Sequence, residues 1–132
     1  MITTLYAALL AILYLFLTAV VIRSRYRFKV GIGDGGNEIL ARRIRVHGNF
    51  IEYVPLALLL LFFVDDGGAS PELAHLLGAM LLAGRILHAI GLSGSAYISS
   101  GRMLGMILTF AMMAICAVIL IWRYVALALI GF

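Results

Sequence analysis

The chain has 132 residues, 64% of them hydrophobic and 12% charged, about half the charge density of a soluble domain. That balance excludes an ordinary water-soluble fold, and the length accommodates a single domain, residues 1–132. The formal net charge of +4 does not point to nucleic acid, because seven of the ten basic residues cluster between Arg23 and Arg45, where a membrane protein would carry them.

In chain order, an uncharged apolar run from about Ile2 to Ile22 comes first. It is close to the roughly 20 residues a membrane helix needs. It lacks a basic start and is too long for a signal peptide, so it reads as a retained span. The segment from Arg23 to Glu38 is basic and then glycine-rich, which predicts a connection. The second span is expected over Ile39–Val64. Val54–Val64 alone, eleven residues without a charge, is too short to cross, so the N-terminal half must include the polar string Arg45-Val46-His47-Gly48-Asn49-Phe50-Ile51-Glu52-Tyr53.

Asp65 to Pro71 forms an acidic turn, with Ser70 placed to cap and Pro71 to open the next helix. The third span runs over Glu72–Leu92, and Gly91 to Gly101 is a small, serine-rich connection. The fourth runs over Met103–Trp122. The pattern predicts an all-α integral membrane four-helix bundle. By the positive-inside rule the basic loops face the cytoplasm and both termini lie outside; Arg123, after the fourth span, runs against that rule. The single cysteine, Cys116, lies in an apolar run and is expected to be inert packing.

Charged groups at bilayer depth are costly and mark function. On a helix of 3.6 residues per turn, Arg42, Arg45, Asn49, Glu52 and Tyr53 fall within a sector of roughly 100°, while His47 points away. Glu52 and Arg85 lie roughly 18–20 Å from the same end of their helices, which predicts an ion pair between them. His88 is one turn beyond Arg85. No metal-ligand spacing links the three histidines, and no phosphate-binding loop or nucleophile elbow occurs. Arg25, Arg45, Asn49, Glu52, Tyr53, Arg85, His88 and Arg102 would make a cationic pocket in the cytoplasmic half, suited to a ligand bearing carboxylates and an amine and open to an apolar second molecule from the lipid.

The Arg45–Pro55 string, together with Gly84-Arg85-Ile86-Leu87-His88, resembles the MAPEG family, the membrane-associated proteins of eicosanoid and glutathione metabolism. The resemblance covers nearly the whole chain. It implies a homotrimer with glutathione as co-substrate between neighbouring subunits. Arg45, Asn49, Glu52 and Tyr53 would bind glutathione, His47 would support them, Arg25 (or its rival Arg23) would add a basic contact, and Arg85 and His88 would line the pocket. Arg102 is similar to the arginine that stabilises the glutathione thiolate. Leu92 stands where the eicosanoid synthases have a tyrosine, and Met103 where the prostaglandin synthase has a serine, so the resemblance reaches glutathione binding more firmly than eicosanoid chemistry.

The function expected is a membrane-bound glutathione transferase or peroxidase acting on lipophilic electrophiles or hydroperoxides. The alternatives are a non-catalytic membrane binding protein and a small four-helix multidrug transporter. The last is weakened by the first span, which lacks the glutamate such transporters use.

Overall fold

A computed structural model describes residues 1–94 and 99–131. Within them the four expected spans are four helices: α1 Thr3–Phe28, α2 Glu38–Asp66, α3 Pro71–Gly94 and α4 Ser100–Ile130. Each is long and apolar enough to cross a membrane.

Helix ends follow local chemistry. Asn37 Oδ1 accepts the Leu40 amide at 2.9 Å to start α2, and Ser70 Oγ accepts the Leu73 amide at 3.3 Å ahead of Pro71. Ser99 Oγ receives the Arg102 amide at 3.3 Å at the head of α4. Two helices are longer than expected. α1 continues through Arg23, Arg25 and Arg27, because nothing breaks it before Lys29; that residue turns left-handed (φ 54°) and returns its N–H to the Arg25 and Tyr26 carbonyls. The basic residues therefore ride on the last turns of α1 rather than in a loop. α4 likewise runs past Trp122 to Ile130 and ends at Gly131.

α2 and α3 occupy the middle. α1 packs against both, α4 packs against both, and among the described residues α1 and α4 do not meet. Leu10, Ala57, Leu61, Leu77, Leu81 and Met112 form the centre of the core, and Cys116 is fully buried among them. The closest helix approach is between α3 and α4, where Gly84 faces Gly105. A β-carbon on Gly105 would lie 2.6 Å from the His88 amide nitrogen, and one on Gly84 would lie 2.9 Å from the Gly105 carbonyl. Such small-residue seams let membrane helices gain dispersion contacts that lipid would otherwise supply.

The two ends of the bundle carry different chemistry. At the end with the α2–α3 turn, Asp65 Oδ2 accepts both the amide and the hydroxyl of Thr3 at 2.8 Å. Tyr6 donates its hydroxyl to the His75 carbonyl at 3.0 Å. Arg123 Nη1 donates to the Val64 carbonyl at 3.1 Å, which also accepts the Ala69 amide, so the arginine that ran against the charge rule adds a second donor at the end of α2. The opposite end carries the α1–α2 loop and the start of α4.

Candidate functional site

The polar sector of α2 divides along its length into two edges. At about 100° per residue, Asn49 and Tyr53 stand about 40° and 80° round from Arg45, while Glu52 stands about 20° to its other side. The first edge turns into the bundle and the second turns out.

On the inner edge, Arg85 of α3 is one of the most deeply buried side chains, 1% exposed. Its Nη2 donates to Asn49 Oδ1. Nη1 reaches Thr109 Oγ1 at 3.5 Å and Met106 Sδ at 3.9 Å. Its guanidinium carbon lies 5.8 Å from the centre of the Tyr53 ring, within the range of cation–π attraction. Tyr53 in turn meets Phe110 edge-on, with ring centres 5.4 Å apart. Every partner of Arg85 is neutral, and its Nε is buried without a hydrogen-bond partner among the described residues. A buried cation held this way keeps a strong demand for an anion.

One turn on, His88 is also buried, and its Nδ1 lies 3.4 Å from the Arg102 carbonyl. A carbonyl only accepts, so this contact places the hydrogen on Nδ1. His88 Nε2 then presents a lone pair, and it too has no partner among the described residues. Arg102 is thereby fixed at the start of α4 through its backbone. Ser99 strengthens the join by donating its hydroxyl to the Gly91 carbonyl at 3.1 Å. No acidic side chain pairs with Arg102 among the described residues.

On the outer edge, Arg45 grips Glu52 with two parallel bonds, Nη1 to Oε1 at 2.7 Å and Nη2 to Oε2 at 3.2 Å. Their side chains are 58% and 45% exposed. The Glu52–Arg85 ion pair expected from matched depth is therefore not formed. Depth was correct to within one turn, but azimuth separates the partners: Asn49 lies between them and takes Arg85, leaving Glu52 to Arg45 two turns away.

Two of the expected site residues lie at the α1–α2 seam instead. His47 Nε2 is 3.0 Å from Thr18 Oγ1, and its ring stacks on Tyr14 at 5.1 Å. Arg25 Nη1 donates to the Gly33 carbonyl at 2.9 Å and lies 3.4 Å from those of Val30 and Gly31. Within one chain, then, Asn49, Tyr53, Arg85 and His88 come together with the backbone of Arg102. Arg45 and Glu52 flank them, and Arg25 and His47 stand apart. Sequence reasoning missed Thr109 as a support for Arg85. Its signal was the four-residue spacing Gly101, Gly105, Thr109, which puts the hydroxyl on the face that α4 turns to α3.

A polar cassette on the second helix, a buried arginine on the third and an arginine opening the fourth form one pattern across this molecule. The model of the MAPEG family matches residues 3–122. The chain belongs to the MAPEG family. Among curated relatives, the inner membrane protein YecN of Escherichia coli strain K12 is 42% identical over 91 residues, covering 69% of this chain and 70% of that protein. YecN of Escherichia coli O6:H1 matches to the same extent.

Proposed function

We propose that this MAPEG protein is a membrane-bound glutathione-dependent transferase or peroxidase acting on lipophilic electrophiles or hydroperoxides. The observation that carries the reading is a charge imbalance. Arg45, Arg85 and Arg102 lie in one half of the bundle; among the described residues Arg45 alone of the three pairs with an acid, Glu52, and Arg85 is buried among neutral partners. A ligand with two carboxylates and one ammonium meets that demand.

In this reading Arg45, Asn49, Glu52 and Tyr53 bind glutathione, with Arg85 and His88 behind them and Arg102 beside the sulfur. A thiol of this kind ionises near pH 8.5, and a fixed cation lowers that value so that thiolate is present at neutral pH. The thiolate forms the bond to an electrophilic carbon while the leaving group departs with its electron pair.

The exposed Arg45–Glu52 pair is compatible with the homotrimer that the family resemblance implies, because ion pairs at membrane depth face protein or water rather than lipid. A neighbouring copy covering this face would also bring Arg25 and His47 of its α1–α2 seam toward the ligand. The lipophilic substrate would enter from the lipid. The apolar groove of about 400 Å³ between α1 and α2, lined by Leu10, Tyr14, Phe50, Val54, Pro55 and Leu58, offers a place for it. The positive-inside rule puts the site on the cytoplasmic side of an inner membrane, the location named for YecN, with both termini outside.

The test is glutathione binding by purified protein in detergent, followed by thiolate absorbance at neutral pH. Wild type is expected to bind and to raise that absorbance, and Arg102→Leu to bind without raising it. Binding without thiolate in wild type favours a non-catalytic binding protein. Full conjugating activity in Arg102→Leu removes Arg102 from the chemistry.

A further inference from the structure

Beside Arg45 lies a cleft of about 280 Å³ lined by Gly33, Asp34, Ala41, Ile44, Arg45 and Gly48. Its α2 side uses positions 41, 44, 45 and 48, one stripe of the helix. Gly48 is a residue that weakens a helix interior, and a β-carbon there would meet nothing within 4 Å. Packing within the chain therefore gives no reason for its smallness, and the cleft floor is left bare. Its other wall is the glycine-rich loop, and Arg25 holds that loop by its Gly33 carbonyl at 2.9 Å. Asp34 follows directly. One of its oxygens accepts the Gly36 amide at 2.9 Å, and it pairs with no basic side chain among the described residues. Arg45 uses one N–H of each terminal nitrogen on Glu52, which leaves its other donors open. The cleft thus presents an acceptor acid and a donor cation together.

We propose that this cleft takes the amino-acid end of the ligand, with the α-ammonium of the γ-glutamyl group on Asp34 and its carboxylate on Arg45 over the Gly48 floor. Arg25 is a positioning residue that acts through the loop. The proposal rests on the glutathione reading and deepens it, because Asp34 stands outside the second-helix cassette and Arg25 changes from ligand contact to loop anchor.

The test titrates the full-length protein in detergent with glutathione and with its analogue lacking the α-ammonium. Wild type is expected to prefer glutathione by about tenfold, the size of one charge-assisted contact. Asp34→Asn loses that preference by weakening glutathione while leaving the analogue unchanged, and Asp34→Glu restores part of it. Glu52→Gln weakens both ligands alike. Arg25→Gln loses the preference with an unchanged thermal midpoint, and Arg25→Lys retains part of it, since an ammonium can still donate to the Gly33 carbonyl. A preference that survives Asp34→Asn but vanishes in Glu52→Gln puts the ammonium on Glu52 and overturns the proposal. Equal binding of both ligands by wild type also overturns it while glutathione binding stands. Binding of neither overturns the glutathione reading, and the assignment of this cleft with it.

Discussion

The two ends of the bundle handle polar groups in opposite ways. At the end with the α2–α3 turn, Thr3, Asp65, Tyr6, His75, Arg123 and the Val64 carbonyl are joined in short bonds that tie one helix to the next. Toward the other end, among the described residues, Arg85 lacks an anion, Arg85 Nε and His88 Nε2 lack partners, and Arg45 and Glu52 are paired but exposed. Similar residue types therefore do different work. Satisfied groups fasten the helices, whereas the groups with unmet demand are those to which the proposed function assigns a ligand.

Substitutions at the two ends should separate those roles. The largest effect is expected at the α3–α4 seam that carries the unsatisfied groups. Gly105→Val drives side-chain atoms into the Gly84 carbonyl and the His88 amide, costing about 3 kcal/mol. A sharp fall in the thermal midpoint in detergent, with loss of glutathione binding, checks this.

Asn49→Ala is next. It strips Arg85 Nη2 of its hydrogen-bond partner and should cost about 1–3 kcal/mol. Ligand affinity should fall as well, because Arg85 loses its aim. A variant with reduced midpoint but wild-type affinity would place Asn49 with the fastening groups.

The smallest effect belongs to the turn end. Asp65→Asn keeps one acceptor for Thr3 but removes the charge facing the first amides of α1, a loss of about 1 kcal/mol. The thermal midpoint should drop slightly while glutathione affinity stays at the wild-type value. A change in affinity would erase the distinction between the ends.

Much of this was legible in the sequence. Four spans, the acidic turn with Ser70 and Pro71, and the polar string fused to Val54–Val64 all follow from hydropathy, helix caps and charge. Charge marks the expected end of α1 at Ile22, but arginine continues a helix well, and α1 ends only where Lys29 turns left-handed ahead of the glycine-rich loop. Depth along a helix can be counted from sequence, which sets Arg85 near Glu52, whereas the rotation of α2 against α3 that brings Asn49 to Arg85 depends on packing between helices. Arg25 reads as a charge in sequence. That its charge is turned back on the Gly33 carbonyl depends on how a glycine-rich loop folds, and local spacing does not encode that.

The contact between Thr3 and Asp65 spans 62 positions of the chain. The first amides of a helix have no partner within it, and here the group that caps the Thr3 amide is synthesised only with the last turn of α2. The carboxylate that closes the leading turn of α1 therefore becomes available only with the second crossing, and the bond joins the two ends of the first hairpin. The order in which the chain emerges is thus written into which residue closes which helix.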